Sequence, residues 1–205
     1  MTLSKIQAEK MIDQLKQEEI ALGRDPTTWY AYENHVYGVA KIAKAIASKI
    51  PTMNANRVYI MGLLHDICRT EEDRYQRFHG ILGYEKLIKL DKDVANCCLS
   101  HTFPWNELLS YHQCAKYFYH NKADYEFLAN FFKNTPAKEE DYLIQLCDNL
   151  ANKDGLVTIE QRAKELIQRR GPLYVTLNGL KKAKELKRYF DKKIGCDIYS
   201  LFKQL

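Results

Sequence analysis

The stretch VYIMGLLHDICRT, residues 58–70, decides how the rest of the sequence is interpreted. Its first part is apolar on nearly every side, which predicts a helix over 54–68 that is buried all round. His65 and Asp66 stand side by side at the end of this apolar run. Ionisable side chains are seldom buried without a partner. The stretch therefore predicts a buried site in which His65 and Asp66 need a binding partner.

The composition is that of an ordinary globular protein. The chain has 205 residues, of which 46% are hydrophobic and 28% charged, enough for one substantial core that needs no disulfide. Its six cysteines form no C-x-x-C pair, which indicates a reducing, cytoplasmic compartment. The N-terminus MTLSKIQAEKMIDQ is charged throughout, and no apolar run approaches about 18 residues, so neither a signal peptide nor a membrane partner is expected.

Hydrophobic periodicity predicts an all-α fold. Low counts of glycine (9) and proline (5) favour long regular elements, and no run alternates polar and apolar residues long enough to predict a strand. Besides 54–68, helices are predicted at 3–22, 27–49, 74–90, 92–101, 124–133, 137–151, 158–170 and 176–203. Without a repeat or a low-complexity linker, residues 1–205 are expected to form a single compact all-α domain.

Residues 102–123, TFPWNELLSYHQCAKYFYHNKA, fit this helical pattern least well. The segment is rich in aromatic residues and begins directly after His101. A long irregular connection in a compact domain is often a lid or a binding loop. The other interpretation is a short extra helix that covers the core.

Positive charge is modest and is concentrated near the C-terminus. The formal net charge is +5, and the densest basic stretch is LKKAKELKRYFDKK at 180–193. Alternating charge of this kind is typical of a solvated helix face, whereas a nucleic-acid surface needs a denser basic stripe. We therefore expect no nucleic-acid partner, while a small phosphate-bearing substrate would suit this charge.

Six residues share one feature, which is a metal-binding side chain set in an otherwise apolar helical segment. They are His35, His65, Asp66, His79, His101 and Asp148. A buried charge is tolerated when it coordinates a metal, and imidazole together with carboxylate suits Fe, Mn, Zn, Co or Ni. The partner of the His65–Asp66 pair is therefore predicted to be a divalent metal ion.

The order of these residues resembles the H…HD…D signature of the HD-domain metal-dependent phosphohydrolase superfamily, over roughly 30–155. His35 supplies the first histidine, His65 and Asp66 the HD pair, and Asp148 the final aspartate. HGILGYEKL around His79 and LSHTFP around His101 resemble the two further histidines of the binuclear subgroup. That subgroup includes HD-type symmetrical diadenosine-tetraphosphate hydrolases and cyclic-dinucleotide phosphodiesterases; the GYP motif of the latter is absent.

The resemblance implies a role for each of these residues. The first metal would be held by His35, His65, Asp66 and Asp148, and the second by His79 and His101, with Asp66 as the bridge. It implies hydrolysis of a nucleotide or another small phosphate ester or anhydride through a metal-bound hydroxide, with Asp66 and Arg69 in catalytic roles. Arg69 takes the place of a lysine in the common H-D-I-G-K form and could grip phosphate bidentately.

Other assignments remain open at the level of sequence. Weaker candidates for binding phosphate are Arg74, Arg77 and Lys153. Residues 156–205, the predicted C-terminal helices, carry no recognised motif. Two other functions are compatible with the same ligands: an HD-type diiron oxygenase, and a non-catalytic HD module that binds a nucleotide.

Overall fold

The computed structural model describes residues 2–171 and 174–205, and its centre is a pair of long helices. The first, α2 (Pro26–Ala47), begins where the Asp25 side chain accepts a hydrogen bond from the Thr27 amide. The second, α3 (Ala55–Leu64), carries the apolar run 58–64. They approach closely at Gly62, where an added Cβ would lie 3.0 Å from Ala40 Cα. Glycine at this point therefore brings the HD pair up to α2.

The remaining elements surround this pair, and short 3₁₀ turns join several of them. The other α-helices of the described residues are α1 (Lys5–Ala21), α4 (Glu72–Tyr75), α5 (His79–Leu87), α6 (Lys92–Ser100), α7 (Tyr111–Cys114), α8 (Lys122–Asn134), α9 (Glu139–Asp148), α10 (Ile159–Arg170) and α11 (Tyr174–Ile194). The 3₁₀ helices are Arg69–Glu71, Pro104–Asn106, Ala115–Phe118 and Ile198–Gln204. The predicted all-α fold class is confirmed.

Three predicted boundaries were wrong. The helix at 54–68 ends at Leu64, so the HD pair lies in the turn that follows. The helix at 74–90 is two helices, because Gln76 adopts a left-handed conformation (φ 50°) between α4 and α5. The C-terminal helix ends at Ile194, before Gly195 (φ 73°), and a 3₁₀ helix follows. In the last two cases a residue in the left-handed backbone conformation ends the helix, although the amphipathic pattern of the sequence continues past that residue.

A small β-hairpin was not predicted. Strands β1 (Ala151–Asn152) and β2 (Gly155–Leu156) pair antiparallel directly after α9. They are two residues long, which is too short for alternation to be visible. The hairpin packs on α2, since a Cβ on Gly38 would lie 3.0 Å from Ala151 Cβ.

The core is divided into two clusters of buried apolar side chains. The larger one joins α1, α2, α3, α6 and α9 to the C-terminal residues Leu166, Leu180, Leu186 and Phe190. The smaller one includes Phe78, Phe103 and Phe118. The segment 102–123 thus contains short helical turns that cover the smaller cluster, as in the second of its two interpretations. No helix in the described part of the chain is both long and apolar enough to cross a bilayer.

Candidate metal centre

Five of the six predicted ligands lie at the ends of helices that meet in the core. His65 and Asp66 follow α3, His79 begins α5, His101 follows α6 and Asp148 ends α9, while His35 lies inside α2. We call these six residues the His/Asp centre. Glycines bring α5 onto α6, because an added Cβ on Gly80 would lie 2.5 Å from the Cys98 carbonyl oxygen. Small residues beside His79 therefore let α6 approach closely, and the centroids of the His79 and His101 rings lie 5.1 Å apart.

Each of the four histidines uses its Nδ1 atom to donate a hydrogen bond away from the centre. The acceptors are the carbonyl oxygens of Ala151 for His35 (3.1 Å), Gly62 for His65 (2.7 Å) and Cys98 for His101 (2.9 Å), and the Glu72 carboxylate for His79 (3.1 Å). Because none of these oxygens can donate, Nδ1 must carry the hydrogen. In the neutral ring Nε2 then keeps its lone pair, which is the arrangement of metal-binding histidines.

The four Nε2 atoms converge on the carboxylate of Asp66. Oδ1 of Asp66 lies 3.0 Å from His79 Nε2 and 3.2 Å from His101 Nε2. Oδ2 lies 3.9 Å from His35 Nε2 and 3.7 Å from His65 Nε2. Asp148 belongs to the second of these groups, since its Oδ1 is 3.1 Å from His35 Nε2 and 3.8 Å from His65 Nε2. The centre therefore has two halves that share one carboxylate.

Two atoms of the centre lack the hydrogen bonds that burial normally requires. His65 Nε2 and Asp66 Oδ1 are buried with no partner among the residues that the structure describes. The Nε2 atoms of His79 and His101 face each other at 3.1 Å, although both rings carry their hydrogen on Nδ1. The Thr102 hydroxyl can donate to His101 Nε2 at 2.9 Å, but the His79 lone pair and the Asp66 carboxylate oxygen still repel one another unless a cation lies between them. The residues present therefore fit divalent metal ions in both halves.

Electrostatics keep the carboxylates ionised and two of the histidines neutral. Burial alone would raise the pKa of Asp66, but the neighbouring His79 and His65 outweigh it and hold that pKa well below its usual range. Burial lowers the pKa of both His79 and His101, only partly offset by Asp66. Burial also opposes protonation of His65, yet Asp66 and Asp148 raise its pKa overall. Protons and metal ions therefore compete for His65, in the half that also contains His35 and Asp148.

Arg69 and Glu72 form a polar bridge from the half that contains His79 and His101 to the surface. The Arg69 guanidinium forms an ion pair with Glu72 and lies 3.5 Å from His79 Nδ1. Glu72 is only 7% exposed, whereas the Arg69 side chain is 36% exposed. The position of Arg69 at the edge of the centre agrees with its predicted contact with phosphate, which remains a prediction.

A cavity of about 880 Å³ opens onto the centre. His35, Asp66, His79, His101 and Asp148 all line it, and so does Arg69. Its wall also includes Thr102, Phe103 and Tyr119 from the aromatic segment. Residues 102–123 therefore both cover part of the core and border the cavity.

The weaker phosphate candidates separate into two groups. Lys153 lines the cavity. Arg77 is engaged elsewhere, with carboxylate oxygens of Asp124 and Glu85 both 3.0 Å from its Nη2. Arg74 is exposed and is absent from the cavity lining.

Sequence reasoning missed the residues that line the cavity from outside the motif. Tyr32 lies one helical turn before His35 on the same stripe of α2, which is the one signal that could have identified it. Glu72 carries no sequence signal, because its role depends on a turn between two short helices. Arg162 and Lys182 come from the C-terminal helices, and Lys182 belongs to the basic stretch that was expected to be a solvated face. Its side chain is 14% exposed, so that expectation was wrong at this position.

The fold and the site define an all-α protein with a buried His/Asp centre whose side chains fit divalent metal ions. The family model of the HD domain matches residues 32–153, which include all six residues of the centre. The chain therefore belongs to the HD-domain family, and the superfamily predicted from the motif is confirmed. No curated protein and no solved structure matches the chain.

Proposed function

We propose that this protein is a metal-dependent phosphohydrolase that acts on a nucleotide or another small phosphate ester or anhydride. The observation that carries the proposal is the convergence of four Nε2 lone pairs on one shared carboxylate, each histidine being oriented through Nδ1. Metal-binding histidines are oriented in this way by the partners of their second nitrogen. HD-domain membership supports the same class of reaction.

The two halves of the centre would each hold one divalent ion. His35, His65 and Asp148 would ligate one ion and His79 and His101 the other, with Asp66 contributing one oxygen to each. Such ions lower the pKa of a bound water and neutralise phosphoryl oxygens. We extend the proposal to the binuclear subgroup that resembles HD-type diadenosine-tetraphosphate hydrolases.

The chain's own residues would orient the phosphate and hold the centre. Asp66 is ionised because of the surrounding histidines, and its two oxygens would link the two halves of the centre. Arg69 lines the cavity beside His79 and could bind phosphoryl oxygens bidentately. Glu72, held by Arg69, keeps the His79 ring turned towards Asp66.

The cavity supports a substrate of nucleotide size. Ligand pockets in proteins commonly measure about 300–1,000 Å³, and this one is about 880 Å³. Beyond the His/Asp centre, cations outnumber carboxylates on its wall. The cations are Arg24, Arg69, Lys116, Lys153, Arg162, Arg169 and Lys182, and the carboxylates are Glu72, Asp73, Glu107 and Glu165. A phosphorylated substrate would complement this charge.

Metal content per chain, measured by elemental analysis after anaerobic purification, is the first test. We expect two ions in the wild type and one in His79→Ala. His112→Ala is the matched control, since His112 is exposed and is absent from the cavity lining. A single ion that His79→Ala leaves in place would contradict the binuclear assignment.

Hydrolysis of nucleotides and dinucleoside polyphosphates by the metal-loaded protein is the second test. Release of phosphate or of a nucleotide that is lost in Asp66→Asn would support the proposal. A loaded protein that consumes oxygen with iron but hydrolyses none of these compounds would instead be an HD-type diiron oxygenase. Saturable nucleotide binding without turnover would identify a binding module.

A further inference from the structure

The cavity extends well beyond the His/Asp centre, along two helices. On α2 its lining runs from His35 back to Thr28, and on α10 it includes both Arg162 and Arg169. Each pair is seven residues apart, which corresponds to about 10 Å along a helix. Helices α10 and α11 lie outside the matched residues 32–153. The C-terminal part of the chain therefore adds a wall to the cavity that the matched residues do not supply.

This C-terminal wall is basic. Its charged residues on α10 and α11 are Arg162, Arg169, Lys182 and Glu165. Glu165 lies 2.5 Å from Arg162 and 3.0 Å from Arg169, so two guanidinium groups share one carboxylate. Lys182 forms an ion pair with Glu107, whose side chain is 61% exposed. Three of these four charged residues are cations, which an anionic ligand would complement.

Arg162 is the residue whose surroundings point most directly to a ligand. Its side chain is only 13% exposed, and its Nε is buried without a hydrogen-bond partner in the part of the chain that the structure describes. A buried guanidinium donor left unpaired is unfavourable. Two more buried hydroxyls on the same cavity wall, Tyr32 OH and Thr70 Oγ1, also lack partners there. The cavity is thus rich in hydrogen-bond donors that a ligand with many acceptors would satisfy.

We propose that Arg162, with Lys182, binds a second anionic group of the substrate, separate from the phosphoryl group at the His/Asp centre. The substrate would then be an elongated molecule with two separated phosphate-like groups. Arg162 would contact the distal group through its guanidinium, and Lys182 would add charge from the neighbouring helix. This inference rests on the proposed function, since it takes the His/Asp centre as the site of the first group.

The test uses phosphonates, which the centre cannot hydrolyse. Binding of pentylphosphonate and of alkane bisphosphonates of increasing length to the metal-loaded full chain is measured by isothermal titration calorimetry. In the wild type, we expect the best bisphosphonate to bind at least about tenfold more tightly than the monophosphonate, as one added charge-assisted contact allows. Arg162→Gln should abolish this advantage. Lys164→Gln, which removes a positive charge from an exposed position of α10, should keep it.

The outcomes separate the two proposals. If pentylphosphonate binds but no bisphosphonate binds more tightly, or if Arg162→Gln and Lys164→Gln behave alike, the distal site is wrong and the proposed function stands. If neither phosphonate binds the loaded protein, the phosphoryl site itself is contradicted, and the distal site with it. Lys182→Gln is the second variant if Arg162→Gln fails to fold. It should also reduce the difference in affinity between the best bisphosphonate and pentylphosphonate.

Discussion

Asp66 and Asp91 are both nearly buried carboxylates, 8% and 1% exposed, yet their surroundings differ in kind. Both oxygens of Asp91 are bound by the Arg57 guanidinium, and the carboxylate also accepts hydrogen bonds from the amides of Leu3 (2.8 Å) and Val94 (3.3 Å). Asp66 Oδ1 faces histidine nitrogens that have no hydrogen to donate. The Asp91 carboxylate is fully paired within the protein, whereas Asp66 Oδ1 has no hydrogen-bond donor among the residues that the structure describes.

The largest expected effect comes from Asp66→Asn. Because Asp66 is shared by both halves, we expect the variant to lose both metal ions. The loss of several kcal/mol of transition-state stabilisation would lower kcat/KM by roughly a thousandfold or more. Elemental analysis and a phosphatase assay check this. Retention of one ion with high activity would show that the halves do not depend on a shared carboxylate.

Asp91→Asn should instead act on stability. It removes the charge that Arg57 is paired with, and we expect it to lower the free energy of unfolding by about 3 kcal/mol. Asp93→Asn is the control, since Asp93 is 39% exposed and lies 3.6 Å from Arg57; it should cost less than about 1 kcal/mol. Urea denaturation measures both. If both variants lower the free energy of unfolding equally, the buried ion pair of Asp91 is no more stabilising than that of the exposed Asp93.

The Asp91 effect should also depend on pH in a defined direction. Burial raises the pKa of Asp91, but the Arg57 guanidinium and the amides of Leu3 and Val94 outweigh it and lower that pKa overall. Stabilisation by a carboxylate with a lowered pKa is present above its ordinary pKa, 3.8, and is lost as the pH falls through the folded-state value. The difference between wild type and Asp91→Asn should therefore shrink in acid. A difference that grows in acid would contradict this assignment.

Glu72→Gln allows metal binding to be compared between the two halves of the His/Asp centre. Of the four histidines, His79 is the one oriented by a carboxylate rather than a carbonyl. Loss of such a partner typically weakens metal binding about 10–100-fold, and we expect the loss in the half that contains His79 and His101. Metal titration against a competing chelator measures it. The control is Glu71→Gln, whose carboxylate pairs with Lys86; equal weakening of both halves would argue against local positioning.

Asp141→Asn is the variant for which we expect the smallest effect. Asp141 is 7% exposed and accepts a hydrogen bond from the Lys138 amide (2.9 Å), and burial raises its pKa to about 6. A raised folded-state pKa means that stability falls as the pH rises from about 4 to about 6. Asp141→Asn should therefore gain on the order of 1–2 kcal/mol relative to wild type between those values. Thermal unfolding at both pH values tests it, and parallel profiles would contradict it.

Local sequence predicted most of the helices because their apolar faces repeat with the helical period. It failed at the end of α3 and at Gln76, where backbone conformation changes without a change of hydrophobic pattern. The His/Asp centre was predictable because each ligand interrupts an apolar run, so its burial could be inferred from its neighbours. Glu72 and Arg162 could not be predicted in the same way, since each lies in a polar stretch whose orientation depends on packing.

By itself, the sequence determined the fold class and the identity of the six residues of the centre, because periodicity and burial are local properties of a helix. The tertiary structure decided how these residues divide into two halves around Asp66, since that division depends on which oxygen faces which histidine. It also decided that α10 and α11 complete the cavity. Contacts between distant segments leave no trace in local patterning, and the basic wall of the cavity is made of such contacts.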